Sequence, residues 1–221
     1  MDNATLISRL LLQSDFERDV VRGVIELDEY RLRTLDARGF KPQTIVDIGG
    51  HVGSFVLMAN TIWPNAHIVS VEPAHENFTR LHATVGLMPY ISLENAAVVG
   101  ANHRQATATL FRSLDGNTAG GSTVRKNQSD PVTFPAITII DLIARWRLSR
   151  IDLLKLDCEG EEAAILMDLA TSGRLRNVKQ IAGEWHEYDS IPVIQDALRE
   201  THDLELHRGD HPWGAFFARP R

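Results

Sequence analysis

The sequence predicts a doubly wound, Rossmann-like α/β fold over residues 41–221, preceded by an N-terminal helical cap over residues 1–40. Three observations carry that expectation. An apolar strand at Thr44–Ile48 breaks into a glycine-rich turn and restarts at helical spacing, strands and helices alternate from there on, and the first forty residues show helical periodicity. With 221 residues, 43% of them hydrophobic, the chain can bury a full core as one unit behind that cap.

Composition narrows the partners. Net charge is −6 with no run of lysine or arginine, so no basic face is expected to displace counterions from a phosphate backbone, and nucleic acid is not an expected partner. The apolar stretches are strand-length, which argues against a membrane span, and MDNATLISRL lacks a basic-then-apolar leader pattern. The single cysteine, Cys158, allows no internal disulfide and fits a reducing cytoplasm.

In the cap, Ser14-Asp15-Phe16-Glu17 has the form of a capping box, whose serine and glutamate satisfy orphan amides at a helix start. Phe16, Val20, Val24 and Leu27 then form one apolar stripe, and Gly39 suits the stop. Such a cap either only covers a sheet edge or also walls a substrate pocket.

Thr44-Ile45-Val46-Asp47-Ile48 is apolar and β-branched, as a strand covered on both faces must be. Beyond it, Val52, Phe55, Val56 and Ala59 fall on one helical face. Glycines 49, 50 and 53 remove Cβ atoms where the backbone reverses, so a ligand can approach the main chain. The dinucleotide fingerprint fails in both registers, because His51 and Ser54, or Val52 and Phe55, stand where it needs glycine; this opposes a nicotinamide-dependent oxidoreductase. What remains, Asp47-x-Gly49-x-x-x-Gly53, resembles the first motif of class I S-adenosylmethionine-dependent methyltransferases. An ordinary strand–turn–helix corner would carry the same glycines.

The next apolar run, Ile68–Val71, ends at Glu72 and Pro73. An acid at a strand tip, 25 residues beyond Asp47, can accept hydrogen bonds from both hydroxyls of a ribose. Pro73–Val85 reads as a helix with Phe78, Leu81 and Val85 inward, and Ile91–Val98 as a third strand. Near its end, Asn95 and Ala96 leave space for an adenine ring. The candidate cofactor contacts are therefore Asp47, Gly49, Gly50, His51, Gly53, Ser54, Glu72, Pro73, Asn95 and Ala96.

Residues 105–140 depart from the alternation. Gln105–Ser113 and Val132–Ile139 read as strands, separated by a glycine-, serine- and asparagine-rich stretch, 114–130, that suits either a solvated tip or a lid over substrate.

Ile151–Leu156 is a buried strand running into Lys155, Asp157 and Glu159, whose alternation places them on one side of an extended segment. Charges so clustered must be paired or wet. The succession TIVDIGGHVGSF, VEP, ITIIDLI and K-x-D-x-E-G-x-E, the last from Lys155 to Glu162, resembles the FkbM family of methyltransferases over roughly Ile45–Phe217. That resemblance implies a seven-stranded sheet with its final strand inserted antiparallel, S-adenosylmethionine as methyl donor with Asp157 among its contacts, and a hydroxyl acceptor on a small molecule or sugar, as in natural-product or glycan pathways. Val178–Trp185 supplies a fifth core strand, Ser190–Arg199 a helix with Pro192 in its first turn, and Leu204–His207 with Trp213–Ala218 a closing hairpin.

Catalysis is argued from position. Glu184-Trp185-His186-Glu187 ends the strand beside the Asp157 strand, which makes His186, Asp157 and Glu184 the candidate catalytic residues. Methyl transfer is an in-line displacement, so the protein supplies approach geometry and deprotonation. Two routes are open: His186, with an ordinary pKa near ~6.5, takes the proton, or magnesium at Asp157, Glu159 and Glu184 lowers the hydroxyl's pKa, with Glu187 nearby. A third reading, a non-catalytic S-adenosylmethionine-binding or partner-binding module, keeps the fold without the chemistry.

Overall fold

The computed structural model describes residues 2–103, 105–111, 131–207 and 213–221, so the stretch 114–130 lies outside the described residues. Three helices open the chain: α1 (Asn3–Ser8), α2 (Asp15–Ile25) and α3 (Leu32–Ala37). Then come β1 (Thr44–Ile48), α4 (Ser54–Ile62), β2 (His67–Val71), α5 (His75–Val85), β3 (Ile91–Glu94), β4 (Ala97–Val99), β5 (Thr107–Phe111) and β6 (Pro131–Thr138). The remainder is α6 (Ile139–Arg145), β7 (Ile151–Leu156), α7 (Glu162–Thr171), β8 (Val178–Trp185), α8 (Ser190–Leu198), β9 (His202–Leu206) and β10 (Gly214–Pro220).

Seven strands form the central sheet in the order β3-β2-β1-β7-β8-β10-β9. The first five are parallel, and β10 is antiparallel to both β8 and β9, as the sequence led us to expect. Strand alternation sorts the core into two layers. Ile45, Ile68, Leu153 and Ala182 pack with Val21, Ile25, Phe55 and Leu81 on the side of the cap, while Val46, Val69, Leu154 and Ile181 pack with Leu142, Ile165 and Ile194 on the other. One register row breaks this pattern. Ser70, Asp47 and Lys155 stand side by side across β2, β1 and β7, buried and polar, on the cap side of the sheet.

The cap differs from expectation in its rotation. Ser14 does accept the Glu17 amide at the start of α2, but Phe16 is 48% and Leu27 79% exposed, and the buried face is Glu17, Val21, Val24 and Ile25. A charge pair, not an aromatic ring, sets that face: the Glu17 carboxylate meets Arg80 of α5 at 2.8 Å. Gly39 follows α3 at φ +82°, as a stop should.

The expected third strand is two strands. Asn95 donates through Nδ2 to the carbonyls of Glu72 and Pro73 at 2.8 and 2.9 Å, which ends the pairing of β3 with β2 and sends the chain into a second, three-stranded sheet, β4-β6-β5. The two strands expected between 105 and 140 belong to that sheet. α5 starts at His75 rather than Pro73, after an extended Ala74 at its N-cap.

Candidate active site

The carboxyl ends of β1, β2, β7 and β8 converge on one edge of the sheet, where open α/β folds place their ligands. At β1 the chain reverses through Gly49 (φ +88°), His51 (φ 47°) and Gly53 (φ +95°) before α4 begins at Ser54. The amides of Gly49 and Gly50 both donate to the Val71 carbonyl, at 3.0 and 2.9 Å. A Cβ on Gly49 would stand 1.7 Å from the backbone oxygen of Asp157, so the turn and the exit of β7 touch main chain to main chain.

Lys155 holds this arrangement from below. Its Nζ donates to the Gly49 carbonyl at 2.5 Å and lies 3.3 Å from Asp47 and 3.5 Å from Asp157. Ser70 Oγ donates to the other Asp47 oxygen at 2.6 Å. Burial opposes the lysine charge, but Asp47 and Asp157 more than offset it and push its pKa above the ordinary range. Asp47, fully buried, therefore acts beneath the turn through Lys155 instead of facing a ligand.

Glu72 sits at the tip of β2, 5% exposed, and accepts the His51 amide on Oε2 and the Ala74 amide on Oε1, each at 2.9 Å. Burial pushes its pKa up to about 7, against the pull of those amides. Pro73 is half-buried beside it, and Ser54 is buried at the start of α4. Asn95 spends its amide hydrogens on the strand tip, and Ala96 is packed within the core, so the structure gives both a packing task at the positions expected to leave room for a ring.

The second half of the site lies at β7 and β8. β7 stops at Leu156, and Glu159 (φ 61°) and Gly160 (φ +127°) bend the chain, which corrects the expected extended segment. Glu162 makes the bend. Its carboxylate, 1% exposed, accepts the amides of Cys158 at 2.8 Å and Gly160 at 3.0 Å and also contacts His186 Nδ1 at 3.0 Å. With that nitrogen engaged, His186 Nε2 faces Glu159, Asp157 and Glu184 at 3.5, 3.6 and 3.6 Å. Glu187 lies in the turn ahead of α8, its carbonyl accepting the Ser190 amide and hydroxyl.

Charge in this ring bears on the histidine route. Burial would lower the His186 pKa, but the Glu162 carboxylate, with Asp157 and Glu184, pushes it up to about 9, so at neutral pH the imidazole is protonated and has no lone pair to offer. Asp157 is held below its ordinary value by Lys155 and His186 despite burial, while burial and the Asp157 charge push Glu184 well above its own.

Two residues of the cap join this ring without any motif having marked them. Tyr30 Oη contacts Asp157 Oδ2 at 2.9 Å and Glu184 Oε1 at 3.3 Å, and burial, with the nearby Asp157 charge, raises the Glu29 pKa. Tyr30 is 4% exposed, edge-on to Phe55, and is delivered by two left-handed residues, Asp28 and Arg31. Asp157, Glu159 and His186 offer ligand atoms all within 4.8 Å of one another, the set suited to a cation; His186 stands where Glu184 was expected.

Residues 47–202 match the family described as "Methyltransferase FkbM domain". A curated relative, 31-O-demethyl-FK506 methyltransferase FkbM of Streptomyces tacrolimicus, is 23% identical over 191 residues, covering 73% of this chain and 72% of the relative. Among solved structures, a delta-N form of the METTL16 MTase domain superposes with a TM-score of 0.51 at 11% identity, over 89% of this chain and 82% of that one. WbdD superposes with a TM-score of 0.51 at 14% identity, over 99% of this chain and 47% of that one.

Proposed function

The chain belongs to the FkbM methyltransferase family, and on that premise we propose that it moves the methyl group of S-adenosylmethionine to a hydroxyl of a small molecule or sugar. The observation that supports this best is the pairing of two features on one sheet edge: a glycine turn that packs main chain to main chain against the exit of β7, and a ring of Asp157, Glu159, Glu184 and His186 at the adjacent strand ends. The residues fit the cofactor. The turn brings its backbone beside the tips of β2 and β7, and Glu72, a buried carboxylate that accepts the His51 and Ala74 amides, suits a ribose hydroxyl. Bound S-adenosylmethionine supplies a methyl group made electrophilic by a positively charged sulfur.

The chain's own part is placement and proton transfer. Glu72 and the turn hold the nucleoside, and the carboxylate ring favours cations at the end of β7 and β8. His186, charged at rest, has no lone pair for an incoming hydroxyl, whereas a cation held in the ring would take the place of that proton and lower the hydroxyl's pKa. That favours magnesium held by Asp157, Glu159 and His186, with Glu184 lining the ring, over an isolated histidine base. Glu162 then fixes the imidazole as carboxylates behind metal-bound histidines do. Manganese, added to the purified chain and followed by electron paramagnetic resonance, is expected to bind, and Glu159→Gln is expected to abolish that binding. A spectrum of free manganese at all concentrations returns the proton to a carboxylate.

Cofactor binding is tested separately by calorimetry with S-adenosylhomocysteine, the demethylated product. Glu72, with its pKa pushed up to about 7, is roughly half protonated at pH 7, and hydroxyl donors favour the ionised form, so binding is expected to release about half a proton. Titrations in buffers of different ionisation enthalpy read that number. Glu72→Gln should erase it and weaken binding by about 1.5–3 kcal/mol. Buffer-independent heats would remove Glu72 from the ribose. Formation of S-adenosylhomocysteine from S-adenosylmethionine with a hydroxyl acceptor separates the enzyme from a module that only binds.

A further inference from the structure

A buried carboxylate–guanidinium pair loses about as much in desolvation as it gains in attraction, so its net contribution to stability is small. Such a pair joins the cap to α5. Glu17 of α2 and Arg80 of α5 have side chains 1% and 6% exposed, and Arg80 Nη1 donates to both Glu17 oxygens at 2.8 and 2.9 Å. The same nitrogen reaches the Leu11 carbonyl at 3.3 Å, ahead of α2.

The other end of the guanidinium points toward the cofactor acid. Arg80 Nη2 donates to Asn77 Oδ1 at 2.6 Å. Because a guanidinium only donates, this contact fixes which way the asparagine amide lies: its oxygen is turned to Arg80 and its NH₂ group to Glu72 Oε1, 3.4 Å away. Glu72 also accepts the backbone amides of His51 and Ala74, one on each oxygen, so Asn77 is the side chain that approaches it from within α5. Three side chains thus run in line from a helix that precedes the matched residues 47–202 to the acid at the tip of β2.

We propose that Glu17, Arg80 and Asn77 are positioning residues for Glu72, so that docking of α2 on the domain and binding of the adenosyl cofactor are coupled; this rests on the reading of Glu72 as the ribose acceptor. Coupling is reciprocal, so any affinity that docked α2 lends to the cofactor is returned by the cofactor as tighter docking of α2.

The test replaces the pair by apolar side chains of similar reach, Glu17→Leu with Arg80→Met, which removes the anchor of Asn77 without leaving a lone buried charge. Calorimetry with S-adenosylhomocysteine is expected to show about tenfold weaker binding, and in a Glu72→Gln background the same double replacement should change affinity by less than about twofold, because the residue being positioned is gone. Unchanged affinity in the first background, or an equal loss in both, overturns the proposal. Should the double variant not fold, the unaltered chain decides: S-adenosylhomocysteine should slow amide hydrogen exchange across residues 15–25, and exchange there that ignores the ligand overturns the coupling. An unaltered chain that binds no S-adenosylhomocysteine overturns the ribose reading itself, and the coupling with it.

Discussion

Gly49→Ala is expected to abolish S-adenosylhomocysteine binding and to cost about 4 kcal/mol or more of stability, at the far end of what single substitutions do. The methyl group would lie 1.7 Å from the Asp157 oxygen and 2.9 Å from its carbonyl carbon, with Lys155 Nζ at 3.4 Å. No rotamer change relieves a clash with main chain, so the turn after β1 and the exit of β7 must part. Their parting breaks the bond from the Asp157 amide to the Ile48 carbonyl and the lysine bond to Gly49. The protein carries its own control. Gly39 has a similar φ of +82° with nothing within 4 Å, so Gly39→Ala should lose only the left-handed penalty of about 1–2 kcal/mol. Gly53 is intermediate, since its Cβ would meet a flexible end, Leu81 Cδ1, at 3.0 Å. Melting curves and calorimetry on the three alanine variants rank them; a Gly49→Ala protein no worse than Gly39→Ala would mean the two chain segments are not in contact.

Glu162→Ala is expected to cost about 3–5 kcal/mol, because it leaves a buried imidazolium without its nearest counter-charge and frees two amides in the bend after β7. The sign with pH follows from the histidine. Its pKa is raised in the folded chain from 6.5 to about 9, so the stability it contributes is complete below 6.5 and is lost as pH rises through 9. Denaturation of the unaltered protein should show stability falling across that window, and Glu162→Gln, which keeps an acceptor for the amides but no charge, should flatten the slope. An unaltered slope in Glu162→Gln would mean that another group carries the titration.

Much of this site was legible because its signals are local. A period change around Gly49 marked β1 and α4, an acid closing an apolar run marked Glu72, and the motif from Lys155 to Glu162 held both the lysine beneath the turn and the glutamate behind His186. What was not legible depends on partners far away in the chain. Nothing near Phe16 reveals that Glu17 will turn inward, since Arg80 lies 63 residues on. Tyr30 reaches Asp157 across 127 residues, and no motif precedes it. The charge on His186 was misjudged for the same reason: an ordinary pKa holds for a solvated ring, and the three-dimensional crowd of carboxylates replaces it.

The order of strands also sets a timetable for biosynthesis. β9 emerges from the ribosome before β10, yet its place in the sheet is on the far side of β10, so it has nothing to pair with when it is made. Until residues 214–220 are out, β8 is the open margin of the nascent sheet, and such long-range pairing is slow as well as late. The final zipping of β10 puts Ala215 opposite Glu184 and Gly214 opposite Trp185, at the very end of β8 from which His186 projects. The nucleoside half of the pocket can therefore form early on the growing chain, whereas the carboxylate wall becomes rigid last, a lag that pulse-labelled hydrogen exchange on stalled chains of increasing length would reveal.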